Sequence, residues 1–264
     1  MIQLLVCDVD GVLYKEGKPV EETLTYIKKL QRSGVFCTLA TGMAYPRVQQ
    51  KLKHFTSNCP MVLDDGGKIV APDGTVIKSF SIPSSDIMFL VEHLDLQNIS
   101  MAAFSGLDDH RYVCFVGSED GRQFVERGLD KQSLLKVTDN SFQFWQAALH
   151  YGCTRFTFKP KLGSFVTVPP TLRMVQNEDK WNVTLHGVDK STGVVEICKL
   201  QGLDVANAIV VGNDFNDLPL FGLNCPYRIA IGDKSEELIQ LATHALATPS
   251  ELVALLQNIF KQGG

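Results

Sequence analysis

The apolar run Leu4-Leu5-Val6 leads straight into Cys7-Asp8-Val9-Asp10-Gly11, and this junction constrains the chain more than any other stretch. A short continuous apolar run reads as a strand buried on both faces, as in a parallel sheet. Alternation along the strand sends Asp8 and Asp10 to the same side, and the Asp-Gly turn leaves both acids at the strand's carboxyl edge. Open α/β sheets bind their ligands at that edge. Carboxylates this close repel by several kcal/mol at an effective dielectric of about 20, so the pair calls for a cation or a shared proton. Oxygen ligands of this kind suit a hard divalent metal such as Mg2+. A plain surface turn after an edge strand is the alternative use of Asp-Gly.

Composition narrows the setting. With 264 residues, 45% of them hydrophobic, the chain is long enough for one large or two smaller domains with a substantial core. A net charge of -4 with scattered Lys and Arg gives no electrostatic footprint for nucleic acid or an anionic membrane. Cys7, Cys37, Cys59, Cys114, Cys153, Cys198 and Cys225 are widely spaced and form no C-x-x-C pair. They read as reduced thiols of a cytosolic protein, not as a disulfide framework or a zinc site. The histidines show no metal-binding spacing either. No apolar stretch reaches the roughly 18 residues of a membrane helix, and no basic segment precedes a long apolar one, so neither export nor anchoring is expected.

Strands and helices alternate at both ends of the chain. Val20, Leu24, Ile27 and Leu30 recur at helical spacing before Gly34, and Val35 to Ala40 reads as a second buried strand, giving a β-α-β unit. Another helix opens within Thr41 to Arg47 and runs to about Phe55, with Pro46 in or near its first turn. A hairpin about Pro72-Asp73-Gly74 follows. Between Ser81 and His186 the texture becomes mixed. Helices are predicted at Asp86 to Asp95, Gly121 to Gly128 and Ser141 to His150. Strands are predicted at Tyr112 to Val116, Thr154 to Lys159, Ser164 to Val168 and Trp181 to Leu185. The β/α rhythm then returns. The expected architecture is an α/β fold, a doubly wound, Rossmann-like parallel sheet core made of residues 1–80 and 187–264, with an α+β cap domain inserted at 81–186. The Pro-, Gly- and Ser-rich junctions at Ser81 to Ser85 and His186 to Asp189 are its candidate hinges.

Three further constellations fall at strand ends or helix starts. Thr41-Gly42 sits where the second strand hands over to a helix, so a hydroxyl and backbone N–H groups can hold a phosphate against the helix's positive end. Taken alone, a Thr there is an ordinary cap. Lys190 follows the insertion and can offer an ammonium to the same anion. Gly212-Asn213-Asp214-Phe215-Asn216-Asp217 forms a dense polar cluster directly after the apolar run Ile209-Val210-Val211.

In this order, D-x-D-G, strand-end Thr, Lys and G-N-D-x-N-D, the chain resembles the haloacid dehalogenase superfamily of phosphohydrolases over its whole length. The insertion between Thr41 and Lys190 is most similar to the Cof-like subfamily with its large α/β cap, near sucrose-phosphate and mannosyl-phosphoglycerate phosphatases. The resemblance implies a Mg2+-dependent phosphatase that hydrolyses a small phosphorylated metabolite, such as a sugar or polyol phosphate. Asp8 is then the nucleophile that takes the phosphoryl group, and Asp10 the acid/base. Thr41, Gly42 and Lys190 bind phosphoryl oxygens. Mg2+ is held by Asp8, the Asp10 backbone carbonyl and the fourth motif through Asn213, Asp214 or Asp217, with Asn216 in support.

The departures matter as much as the matches. Asn213 stands where the family's G-D-x-x-N-D places an aspartate, so metal binding is expected to be weaker unless Asp214 or Asp217 compensates. Val12 replaces a usual Thr, Met43 a frequent Arg, and Asp64-Asp65-Gly66-Gly67 the usual Asn-Gly-Ala. Two alternatives therefore stay open: a phosphomutase of the phosphomannomutase type, and a metabolite-binding or regulatory protein on a disabled phosphatase fold. Within the insertion, Asp108-Asp109-His110-Arg111 and Lys159-Pro160-Lys161 read as polar loop tips, and Trp145 and Trp181 as cap core.

Overall fold

The computed structural model describes residues 1–107, 110–129, 134–177 and 179–262; Asp108 and Asp109 lie outside the described residues. In chain order the elements begin with β1 (Leu4–Cys7), β2 (Tyr14–Lys15), β3 (Lys18–Pro19), α1 (Glu21–Arg32), β4 (Phe36–Leu39), α2 (Tyr45–Lys51), β5 (Met61–Leu63), β6 (Lys68–Val70) and β7 (Val76–Ser79). Next come α3 (Ser84–His93), β8 (Ile99–Ser105), β9 (Tyr112–Val116), α4 (Glu119–Gly128), β10 (Leu134–Thr138), α5 (Ser141–Tyr151), β11 (Arg155–Pro160), β12 (Leu172–Asn177) and β13 (Lys180–Leu185). The chain closes with α6 (Lys190–Gln201), β14 (Ala208–Gly212), α7 (Leu218–Phe221), β15 (Tyr227–Ile231), α8 (Glu236–Leu241), β16 (His244–Leu246) and α9 (Leu252–Gln262). These form two compact units. One comprises Met1–Met43, Val48–Ile77 and Asp189–Gly264, the other Ala44–Arg47 and Lys78–Val188.

The first unit is built on a parallel sheet whose order, among the described residues, is β16-β15-β14-β1-β4. Every residue of β1 is buried, as a strand covered on both faces requires. α1 lays Leu24, Ile27 and Leu30 on the core, with Glu21 and Glu22 at its positive end and Lys29 and Arg32 at its negative end. From β1 the chain runs to β4 on one side, and it later returns to β14 on the other. That makes the carboxyl end of β1 the topological switch point of the sheet, where such folds bind ligands.

In the second unit the sheet order is β10-β9-β8-β11-β13-β12, antiparallel except for the β9/β10 pair. Its core is aromatic. Phe144 meets Phe104 edge-on at 5.5 Å and Trp145 at 5.1 Å, and Phe156 stacks on Phe158 at 5.5 Å. Trp145 belongs to this core, and Trp181 is half-buried.

The molecule is therefore α/β, a doubly wound, Rossmann-like parallel sheet core carrying an inserted α+β unit. Ser164 to Val168 is not a strand, contrary to its apolar alternation. Gly163, at φ +80°, turns the chain before it, the prolines 169 and 170 lack the N–H groups a ladder needs, and Phe165 is left 90% exposed. β2, β3, β5, β8, β10, β12 and β16 escaped the reading of periodicity. β8 is the clearest case: Ile-Ser-Met-Ala-Ala-Phe-Ser is buried at every position, so it shows no alternation.

Phe144 is fully buried at the centre of the aromatic cluster. Phe144→Ala is expected to lower the unfolding free energy by about 3–5 kcal/mol, read from the midpoint of urea unfolding; a loss no larger than that of a surface substitution would contradict this packing.

Candidate active site

Asp8 extends β1 by one residue. Its N–H donates to the Val211 carbonyl of β14 at 3.0 Å, while Ala40 beyond β4 donates to the Cys7 carbonyl at 3.0 Å. These ladders align the three strand ends that carry Asp8, Thr41 and Asn213. Thr41 is buried, its N–H donating to Val62 and its hydroxyl accepting from Met43 N–H at 3.4 Å. Lys190 arrives on the first turn of α6. That turn is fixed by a capping box, in which Asp189 accepts from the Ser191 and Thr192 N–H groups and Thr192 answers the Asp189 backbone.

At the centre, the fully buried Lys190 ammonium donates to Asp8 Oδ1 at 2.9 Å and to Asp217 Oδ1 at 2.6 Å. Asp217 turns its other oxygen back on the fourth-motif loop, accepting from Asn213 N–H at 2.8 Å and Asp214 N–H at 3.2 Å. One carboxylate thus shapes the loop and grips the lysine. Asp214 faces elsewhere: it accepts from the Phe215 N–H at 2.8 Å and from Lys234 at 3.2 Å. Asn213 Oδ1 is buried with no hydrogen-bond partner among the described residues. The Asn213 amide lies so close to Gly11, at φ +81°, that a Cβ at position 11 would sit 2.2 Å from its Nδ2. Only glycine allows the two loops to meet there.

Burial disfavours the Asp8 carboxylate and pushes its pKa up to about 7, against the pull of Lys190 and with the push of Asp217. Burial also disfavours the Lys190 ammonium, but Asp217, Asp8 and Asp65 outweigh it and hold the lysine above its ordinary value. Two carboxylates share one ammonium, so the buried centre carries an excess of negative charge. That excess and the orphaned Asn213 oxygen fit a hard divalent cation. Among the described residues no three His, Cys, Asp or Glu side chains gather closely enough to form a metal cluster; the donors at hand are carboxylate, amide and backbone oxygens.

Asp10 departs from this buried group. Its exposed carboxylate accepts from Lys51 at the end of α2. Lys51 carried no sequence signal, since a lysine on a short helix reads as solvated. In the sequence Asp65 stands out only as part of a departure from Asn-Gly-Ala. It takes a left-handed backbone at φ 54° and accepts from Asn216 Nδ2 at 3.1 Å, which ties the Asp64-to-Gly66 turn to the fourth motif. Gly66, at φ +101°, packs so tightly on α6 that a Cβ would fall 2.1 Å from the Asp189 carbonyl. Beside it, Lys68 and Asp64 form a fully buried ion pair at 3.3 Å. The cysteines are all free and buried, and burial raises the Cys7, Cys37 and Cys59 thiols, which keeps them unreactive.

In the second unit, His110 and Arg111 line a cavity of about 520 Å³ together with Phe104, Leu107, Val113 and His150. Lys159 pairs with Asp179 at 2.6 Å, and Lys161 donates to the Gln97 carbonyl at 2.6 Å, so both lysines are held within their own unit. Among the described residues no helix is long and apolar enough to cross a membrane.

Residues 5–257 match the family model of haloacid dehalogenase-like hydrolases. The chain is 22% identical over 227 residues to a phosphoglycolate phosphatase of Thermoplasma volcanium, covering 84% of this chain and 82% of the relative. It is 24% identical over 229 residues to the phosphoglycolate phosphatase of Methanopyrus kandleri, covering 83% and 80%. Among solved structures, it superposes on the phosphatase BT1666 of Bacteroides thetaiotaomicron with a TM-score of 0.79 at 19% identity, covering 98% of this chain and 95% of that one. The subclass IIB sugar phosphatase BT4131 gives 0.77 at 15% identity, covering 97% and 98%. At such identities the structures speak for the fold, and the family match speaks for the chemistry: the chain belongs to the haloacid dehalogenase-like hydrolases, as a phosphoric monoester hydrolase of the Cof-like type.

Proposed function

We propose that the protein is a Mg2+-dependent phosphatase acting on a small phosphorylated metabolite through an aspartyl-phosphate, with residues 81–186 as its cap domain. The observation that carries this reading is the buried Asp8–Lys190–Asp217 cluster at the sheet's switch point, beside Thr41. The relatives named phosphoglycolate phosphatase and sugar phosphatase favour a phosphorylated acid or sugar as substrate.

Lys190 holds Asp8 Oδ1, which leaves Oδ2 to attack phosphorus. As that O–P bond forms, the bond to the leaving oxygen breaks and Asp10 gives that oxygen a proton. In the second half-reaction water attacks the same phosphorus, Asp10 takes a water proton, and the Asp8 O–P bond breaks. The Thr41 hydroxyl, the Gly42 backbone and the Lys190 ammonium hold the phosphoryl oxygens. Haloacid dehalogenase-type phosphatases generally use a divalent metal. Here Asp8, the Asp10 backbone carbonyl and Asn213 Oδ1 would hold Mg2+, while Asp217, committed to Lys190, and Asp214, paired with Lys234, act from behind. Mg2+ bound there would offset the charge of a carboxylate meeting a phosphate.

Phosphate release from a panel of sugar, polyol and carboxylic acid phosphates tests the reading. EDTA is expected to stop turnover and Mg2+ to restore it, and Asp8→Asn to reduce it by about a thousandfold or more; wild-type turnover no greater than that of Asp8→Asn on every ester would overturn it. Asn213→Asp adds a charge to the donor set, so the Mg2+ concentration at half-maximal rate is expected to fall by about tenfold, and an unchanged value would remove Asn213 from the metal's surroundings.

The Asp8 shift also has a consequence for stability. Its carboxyl holds a proton up to about pH 7 when folded, against an ordinary value of 3.8. Below the ordinary value both states are protonated and nothing is lost. Between the two values the unfolded state ionises first, so the cost of burying Asp8 grows with pH and is complete above the folded value. Asp8→Asn removes that cost and leaves Lys190 paired with Asp217. It is expected to stabilise the metal-free protein by about 1–3 kcal/mol near pH 8 and by almost nothing near pH 4. Urea unfolding in EDTA reads the difference, and a gain independent of pH would show that Asp8 titrates normally.

A further inference from the structure

We propose that Lys51 is the positioning residue for the Asp10 carboxyl group, an inference that rests on the acid/base role proposed for Asp10. Unlike Asp8 and Asp217, Asp10 has no buried surroundings to orient it: its side chain is 59% exposed. A carboxylate that open to water samples several rotamers unless something holds it. Lys51 Nζ donates to its Oδ1 and also lies over the Tyr14 ring, 4.7 Å from the centroid. The lysine side chain is only 14% exposed, so its four-carbon stem is enclosed and the ammonium sits between ring and carboxylate.

The ring is itself fastened to the loop that carries Asp10. Tyr14 N–H donates to the Val9 carbonyl at 2.8 Å, the Tyr14 carbonyl accepts from Gly11 N–H at 2.8 Å, and the phenol donates to the Gly17 carbonyl at 2.6 Å. Lys51 therefore joins the end of α2 to a loop closed upon itself. An exposed ion pair of this kind adds little to stability. What it fixes is direction. With Oδ1 held by Lys51, Oδ2 is the oxygen that passes its proton to the leaving oxygen as the ester P–O bond breaks. The same Oδ2 takes a proton from water as the new P–O bond forms and the Asp8 O–P bond breaks.

The role separates esters by their need for that proton. An alkyl phosphate expels a poor leaving group and depends on the acid, whereas p-nitrophenyl phosphate expels a stable phenolate without one. Lys51→Met and Lys51→Arg are compared with wild type and Asp10→Asn on p-nitrophenyl phosphate and on the fastest alkyl ester of the panel. Because kcat/KM reports the first phosphoryl transfer, Lys51→Met is expected to lose at least about tenfold more of it on the alkyl ester than on the aryl ester. Lys51→Arg is expected to recover part of that loss, since it restores a cation at the same oxygen in a different shape. Equal losses on both esters, or a loss on the alkyl ester in Asp10→Asn with none in Lys51→Met, overturn the positioning role and leave the phosphatase reading intact. Wild-type turnover no greater than that of Asp8→Asn on either ester overturns both.

Discussion

A lysine ammonium with no exposure to water can persist only if carboxylates surround it, and Lys190 is held by two, Asp8 and Asp217. Much of the candidate site is arranged by that requirement. Asp8 must end β1 with its carboxylate facing α6, and α6 must begin at Lys190. Asp217 must turn back from the loop after β14 to reach the same ammonium. Removing the lysine would strand two buried anions, and removing either anion would change how the other is paired. Each of the three is fixed by the other two, which is how a site remains in place before any ligand arrives.

The sheet makes this arrangement accessible to a chain whose contributors are far apart. Asp8 and Lys190 are separated by 182 positions. β1 lies between β4 and β14 in parallel register, so three loops open at one edge without any of them being long. The second unit's long segment, Lys78–Val188, is inserted between β7 and α6, so none of the five strands of the parallel sheet is interrupted. Among the described residues, the first unit has an aliphatic cluster about Val6, Val62 and Val210, and the second an aromatic one about Phe144 and Phe156.

What the sequence revealed follows the same physics. Asp8 and the loop from Gly212 to Asp217 were legible because each abuts an apolar run, where local pattern signals an edge, whereas Thr41 and Lys190, ordinary when taken alone, gained meaning only from their order among the four motifs. The work divided among Asn213, Asp214 and Asp217 was not legible. Three polar side chains within five residues look equivalent in a sequence, and only the backbone path decides that Asp217 turns inward, Asp214 outward, and Asn213 toward Gly11. Lys51 was invisible for a different reason: its partner is reached across 41 positions, and nothing about a helical lysine distinguishes an ion pair from a solvated tip. β8 was missed because complete burial erases the alternation by which strands are read.

The turn from Asp64 to Gly66 shows where such a site is supported. Asp64 and Asp65 both adopt left-handed backbone, at φ 53° and 54°, a conformation costing non-glycine residues about 1–3 kcal/mol each. Aspartate is among the few side chains that enter that region with little resistance, because its short carboxylate finds nearby donors. Here the donors are specific: Asn216 for Asp65, and the buried Lys68 for Asp64. The strain is thus offset by contacts that exist only when the fourth motif and β6 are in place. Gly66 then lets the turn press against the cap of α6, the helix that delivers Lys190. A residue placed behind the lysine in this way need never touch substrate to matter, since any relaxation of the turn would reach the ammonium through Asp189 on one side and Asn216 and Asp217 on the other.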